Sequence, residues 1–539
     1  MGRRVASSSR RSSGVGTTAC LGTTARKSPV ENGIVSSQHL TTTTTHGSDD
    51  HNVECFTIRR VPAYLRGLEN DSKRYDCRIL PMGLYPRKGQ GEDNEMENLK
   101  MEVVSFFLQG FFRQGEKHLQ DDSLVERGWN DICVKIGESA PHCPLRPLEH
   151  FYHNYESEMV AKGNMTSEDI RAALTLDVVF IAAFYIFRYK EFGGDANDFF
   201  SVCPVLIDQL NAVFRRDSWW FQLENFHRDI FFLLENQVPK FMIKDVFQVP
   251  VISRRLPNFS FDRFVRDIVL DSLKSSGLPH VSSPGMEVTF EDCEHLLACL
   301  HKVVCFDGPT TSTNNDGSVC AIAPLGTSRG LSRAASLQRA DKTTIPTASE
   351  LRRVGIRCRG QTTGVSGIRF VKGFFNLKAK LYLPTIAIQG DTDRWLVNMC
   401  AYEWMNQKIT RKKLIAYLQI MDSLIDTEQD VRLMMKGNRK HERVIAVHHL
   451  GEDKLVADLF NNLLKNFPHA DLGDFTELKG TFDEIQAWYK SQRRRQITSF
   501  LDRIGAEPWY VVTLLVAFVL LGVAILQTIY TIWGFYKQS

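Results

Sequence analysis

Five side chains able to hold a metal fall in one short stretch: Cys293, His295, Cys299, His301 and Cys305. Structural zinc takes four such thiolates and imidazoles at the corners of a tetrahedron. On a single helix, at about 100° per residue, His295 and Cys299 project roughly 200° and 240° round from Cys293, and His301 and Cys305 roughly 80° and 120°. The two pairs face different sides, so one helix cannot close them round one ion. Leu296, Leu297, Leu300, Val303 and Val304 share a face between them, and residues 291–306 read as an amphipathic packing helix without a metal. His441 and Glu442 open a zinc-protease pattern, but Ile445 stands where the second histidine is needed. Ser366 lies between Val365 and Gly367 without the glycine spacing of a hydrolase elbow. With no GxxxxGK[ST] loop and no GxGxxG after a strand, no cofactor is expected. None of these patterns marks an enzyme.

A different kind of polar cluster lies in the run from Phe231 to Pro239. Glu235, Asn236 and Gln237 interrupt an apolar stretch, and Pro239 limits continuation of the helix. Buried without partners, each would cost about 1–3 kcal/mol. The favoured reading is that they satisfy helix-end carbonyls or join two helices through a polar network. An enzyme of unrecognised type, using the same three residues in a pocket, is the alternative. Glu97 and Lys100 stand three apart at a helix start, close enough to pair. Arg333 precedes Ser336 by three positions, which makes Ser336 a candidate phosphosite.

The elements that must carry these residues follow from periodicity. Helical spacing of apolar residues marks 97–112, 170–189, 226–238, 264–273 and 291–306, then 392–426 and 451–467. Between Ile368 and Ile388 the rhythm changes to the two-residue alternation of strands, with Pro384 implying an edge position or a break. The fold class is mainly α, with a small β patch. Residues 1–52 are rich in Ser, Thr and Arg and are expected to be a disordered tail, with a transit peptide as the alternative because the first thirty residues hold no acid, while 53–306 form a first helical part. A polar, Gly-rich loop, also expected to be disordered, spans 307–346 before a second part at 347–505.

The chain has 539 residues, of which 66 Lys+Arg nearly balance 62 Asp+Glu, leaving a net charge of +4 that argues against a nucleic-acid partner. The 12 cysteines are scattered, which excludes a dense disulfide scaffold. From Trp509 to Tyr536 no residue is charged, and 509–533 reads as a transmembrane helix flanked by aromatic residues, with a short tail at 534–539. Lys490, Arg493, Arg494, Arg495 and Arg503 precede it and only Lys537 follows, so the bulk is expected to face the cytosol behind a single C-terminal anchor. Which membrane, which protein partner and which oligomeric state are not written in the sequence.

Several short segments, in order, resemble the plant family called "domain of unknown function 247". They are RVP at 60–62, MENLK from Met96 to Lys100 including Glu97, LENQVP from Leu234 to Pro239, and HLLACLH from His295 to His301. TASELRRVGI at 347–356, LPTIAI at 383–388, NMCAYE from Asn398 to Glu403, and the stretch Tyr417 to Val431 follow. EPW at 507–509 and QTIYTI at 527–532 close the series. Two segments depart from the family pattern, MGLYPRKG at 82–89 and DVVF at 177–180. The resemblance implies a membrane-anchored plant protein, largely helical, with no established catalytic activity. In grasses, family members lie at self-incompatibility loci and are regarded as pollen-side recognition determinants. A non-enzymatic recognition or signalling protein is therefore the leading expectation, and a membrane-associated structural scaffold is a further alternative.

Overall fold

Apolar residues at helical spacing fold the first half into helices that bury one another. The computed structural model describes residues 58–67, 73–86, 94–112, 121–139, 152, 167–191, 204–216, 219–280, 288–306, 345–373, 378–437, 439, 442–468, 476–491 and 508–538. The tail at 1–52, Ser336 and nearly all of the loop at 307–346 lie outside them.

The first elements are α1 (Ala63–Arg66), α2 (Asn94–Phe112), α3 (Asp121–Ser139), α4 (Ser167–Glu191), α5 (Pro204–Phe214) and α6 (Trp219–Phe232). From Val178 to Phe187 helix α4 is apolar on every side, and such a stretch belongs in the centre of a core. Its residues Val178 to Phe187 are all buried, and Phe184 meets Phe214 and Phe226 at ring-centroid distances of 5.8 and 6.4 Å. Length and composition alone would let α4 cross a membrane; its burial shows it to be a core helix instead.

After α6 the chain tightens into a 3₁₀ turn at Leu234–Asn236 rather than continuing helical to 238. Then come α7 (Lys240–Gln248), α8 (Pro250–Arg255), α9 (Phe261–Ser276) and α10 (Leu296–Val304). Helix α10 is shorter than the periodicity predicts. His295 is its N-cap, and its ring accepts the N–H of Ala298 at 3.1 Å, so residues 291–295 stay outside the helix. Helix α9 ends at Gly277 with φ +69°, the left-handed conformation that favours glycine. A Cβ on Gly277 would stand 2.5 Å from the Cβ of Ala387. Gly277→Ala should therefore destabilise the fold by about 1–2 kcal/mol from the backbone conformation alone, and by more from the clash. A denaturant midpoint unchanged from wild type would contradict this.

The second half begins with α11 (Ala348–Arg353), where Thr347 and Glu350 form a reciprocal capping box. Strands β1 (Ile356–Gln361), β2 (Arg369–Lys372) and β3 (Ala379–Pro384) make a sheet in the order β1-β3-β2. The β1–β3 pair is parallel, with Ile356 opposite Ala379, and the β2–β3 pair is antiparallel, with Phe370 opposite Leu381. Pro384 ends the central strand, so it marks the break and not an edge. Strand β4 (Ile386–Ile388) follows and pairs in parallel with β5 (Ile445–His448).

The helical stretch predicted over 392–426 is two helices, α12 (Thr392–Met405) and α13 (Lys413–Leu424). The break has a cause in side chains: the Lys412 ammonium donates to the carbonyls of Glu403, Trp404 and Asn406, closing the end of α12. Helices α14 (Glu428–Met434), α15 (Asp453–Leu463) and α16 (Thr476–Lys490) complete this half. Both halves share one core; Phe232 of the first stacks on Trp395 of the second at 4.7 Å. Helix α17 (Pro508–Gln538) is different, because Leu515 to Trp533 are all exposed although the stretch is uncharged and mostly apolar.

Candidate functional site

Lys100 of α2 is fully buried, and an ammonium there needs anionic or carbonyl partners. It donates to Asp177 of α4 at 2.8 Å, to Glu97 one turn earlier at 2.8 Å, and to the Pro81 carbonyl. Asp177 is equally buried, and its second oxygen accepts the N–H of Gly83 at 2.8 Å. Gly83 has φ +67°, and an added Cβ would stand 2.6 Å from the Gln237 carbonyl, so glycine is required. The two segments that depart from the family pattern, around Gly83 and Asp177, thus meet at Lys100. Met96, one turn back, is buried in the core.

The polar run behaves in the same manner. Glu235 accepts the N–H of Val61 at 2.6 Å and pairs with the Arg66 guanidinium. Burial nevertheless holds the Glu235 carboxyl above its ordinary range, against the pull of Arg66. Asn236 accepts from Met82 N–H at 2.7 Å and donates to the carbonyls of Leu80 and Asp229. Gln237 donates to the carbonyls of Ile230 and Leu233 and accepts the N–H of Leu297 at 3.2 Å. Pro239 is buried as the N-cap of α7. Asn398 of α12 accepts the N–H of Leu234 at 2.9 Å and donates to the carbonyls of Arg74 and Arg394. Glu235, Asn236 and Gln237 are at most 6% exposed and each has partners, so they do not line an open pocket.

Asp229 belongs to this network and escaped the sequence reading. Its carboxylate accepts the N–H groups of Arg78, Ile79 and Leu80. The available signal was an acid immediately before the apolar run Ile230–Leu234. Burial raises its pKa, with those N–H donors working against the rise.

The metal-capable residues also separate, although Cys293 and His295 lie outside α10, so the single-helix angles do not apply to them. Cys293 and Cys299 share a hydrogen bond, and His295 is spent as the α10 cap. His301 and Cys305 lie one turn apart, facing Glu403 of α12. His301 Nε2 stands 3.0 Å from Glu403 Oε1, and the Cys305 sulfur 3.4 Å from that nitrogen and 3.9 Å from that oxygen. Glu403, itself fully buried, also accepts the N–H groups of Leu414 and Ile415 at 2.9 Å, so it caps α13 from a neighbouring helix.

Burial lowers the His295 pKa to about 3, and pushes that of His227 well down as well. His295 is thus neutral when folded and takes up a proton on unfolding below about pH 6.5. Stability from this group is complete above that value and falls by about 1.4 kcal/mol per pH unit from there toward pH 3. Thermal melts across pH 5–7 should show a flatter acid slope for His295→Asn, which keeps an acceptor for Ala298. Parallel slopes for variant and wild type would contradict the assignment.

A cleft of about 470 Å³ opens between the 73–78 loop and the start of α12. Its charges are largely matched in ion pairs: Asp391 with Arg78 and Arg228, and Asp393 with Arg74.

Compared with known proteins, residues 58–523 match DUF247, described as a plant protein of unknown function. The chain belongs to the DUF247 family. The match covers both described halves and reaches into α17. A putative UPF0481 protein of Arabidopsis thaliana is 26% identical over 190 residues, which is 35% of this chain and 33% of that protein. The chain therefore spans about a third of that relative's length in the match. No solved structure matches.

Proposed function

We propose that this DUF247 protein is a non-enzymatic recognition or signalling protein held at a membrane by α17. The observation that carries the reading is a contrast in how polar and apolar groups are used. Lys100, Glu235, Asn236, Gln237, Asn398 and Glu403 are sealed inside as braces between elements, whereas the apolar stretch Leu515–Trp533 of α17 is exposed along its length. Residues arranged for substrate chemistry would meet an accessible cavity. Asn236 and Gln237 meet backbone instead, and Glu235 meets backbone and the Arg66 guanidinium. An exposed apolar helix of this length fits a bilayer, and the basic residues before it favour a cytosolic body.

Pollen-side self-incompatibility is the sharpest version of the proposal, and its support is the family resemblance. Pollen-specific expression with allelic variation would favour it; uniform expression across tissues would count against it. Recognition itself is tested by proximity labelling. A biotin ligase on the full chain is compared with the same ligase carried by residues 508–538 alone. The proposal expects a discrete set of neighbours that depends on the helical body. Identical neighbours for the two fusions would overturn it.

A further inference from the structure

We infer that His301, Cys305 and Glu403 form a binding site for a borderline-soft divalent cation of the zinc class. This goes beyond the membrane-recognition reading and does not depend on it. The three donor atoms, one nitrogen, one sulfur and one oxygen, all lie within 4.8 Å of one another. Zinc bond lengths of about 2.0–2.3 Å in a tetrahedron place ligand atoms roughly 3.3–3.6 Å apart. The observed separations of 3.0, 3.4 and 3.9 Å bracket those edges, so side-chain adjustments of a few tenths of an ångström would seat the ion.

The donor set also selects the metal. A thiolate with an imidazole and a carboxylate suits zinc, whereas magnesium and calcium prefer oxygen alone. Three protein ligands leave a fourth position for water. Cys305 is only half-buried, which gives the ion a way in.

The surroundings fix the ligands before an ion arrives. Glu403 is held by the N–H groups of Leu414 and Ile415, and the His301 ring packs edge-on against Tyr402 at 5.3 Å. On binding, the Cys305 thiol releases its proton to solvent and a sulfur–metal bond forms. His301 gives up its hydrogen bond to Glu403, carries its proton on Nδ1 and donates the Nε2 lone pair. The ion thereby ties α10 of the first half to α12 of the second. Two cations lie nearby, Lys412 and Lys413, but their ammonium groups are engaged with the carbonyls of Glu403 and Cys305.

The test uses the full chain in detergent, stripped with a chelator and titrated with Co²⁺ as a spectroscopic stand-in for Zn²⁺. One equivalent should produce a sulfur-to-cobalt charge-transfer band and intense tetrahedral d–d bands, both removed by added Zn²⁺. Cys305→Ser, a small change at a half-buried position, should abolish the charge-transfer band. Cys293→Ser should leave it intact, and Zn²⁺ should raise the melting temperature of wild type but not of Cys305→Ser. Absence of the band in wild type would overturn the site, as would a band of equal strength in Cys305→Ser, which would place the metal on other cysteines.

Discussion

Lys100→Met should cost the folded protein about 3–5 kcal/mol, the usual penalty for stripping one partner from a buried ion pair. The size follows from what remains behind. Asp177 would keep the Gly83 N–H but lose the Lys100 ammonium while staying fully buried. The Pro81 carbonyl would lose a donor at the same time. Equilibrium unfolding of the detergent-solubilised chain measures the loss. The double variant Lys100→Met/Asp177→Leu should recover part of it, because the uncompensated charge is then gone, although Gly83 would still lack its acceptor. A single-variant loss below about 1 kcal/mol would mean that the pair is hydrated and that its burial is not decisive.

The second large effect concerns α17. Alkaline carbonate should fail to strip the wild-type protein from membranes and should release a chain lacking 508–538 completely. A graded version replaces Leu520 and Ala524 with arginine. Each charge near the centre of a span costs about 2.5–3.5 kcal/mol on insertion, so the pair should convert a membrane-integrated protein into a carbonate-extractable one. Wild-type protein recovered in the soluble fraction would instead make α17 a surface for another protein. The contrast with α4 sharpens the point, since that helix has similar length and hydropathy but is 78% buried in the protein's own core.

What could be read from the sequence divides along a physical line. Local periodicity marked α2, α4, α6, α9, α10, α12, α13 and α15, the strand patch and the α17 span, but not α3, α5 or α7, because spacing of apolar residues is a property of neighbours along the chain. Helix ends were less legible. The start of α10 is set by the His295 ring, and the break before α13 by Lys412 and Glu403, all side chains seeking backbone groups that periodicity does not register. Glu235, Asn236 and Gln237 were recognisable as a polar network from their apolar setting. Their partners were not, since Val61, Met82 and Leu297 come from distant segments. Asp177 was legible only as a departure from a motif, yet it is the counter-ion of Lys100 across 77 positions. Likewise no reading confined to one helix could place Glu403 beside His301 and Cys305.

The same braces bear on how the protein is made. Leu234 is synthesised 164 residues before Asn398, whose side chain accepts its buried N–H, and the Arg78 side chain precedes its Asp391 partner by 313. While the ribosome is still translating 307–344, the first half has its apolar faces formed but lacks the acceptors and the Trp395 surface that complete them. Such a nascent chain is expected to expose apolar surface that chaperones bind until α12 has emerged. Translation pauses or truncations upstream of α12 would therefore leave a species prone to aggregation and degradation, not a smaller working protein.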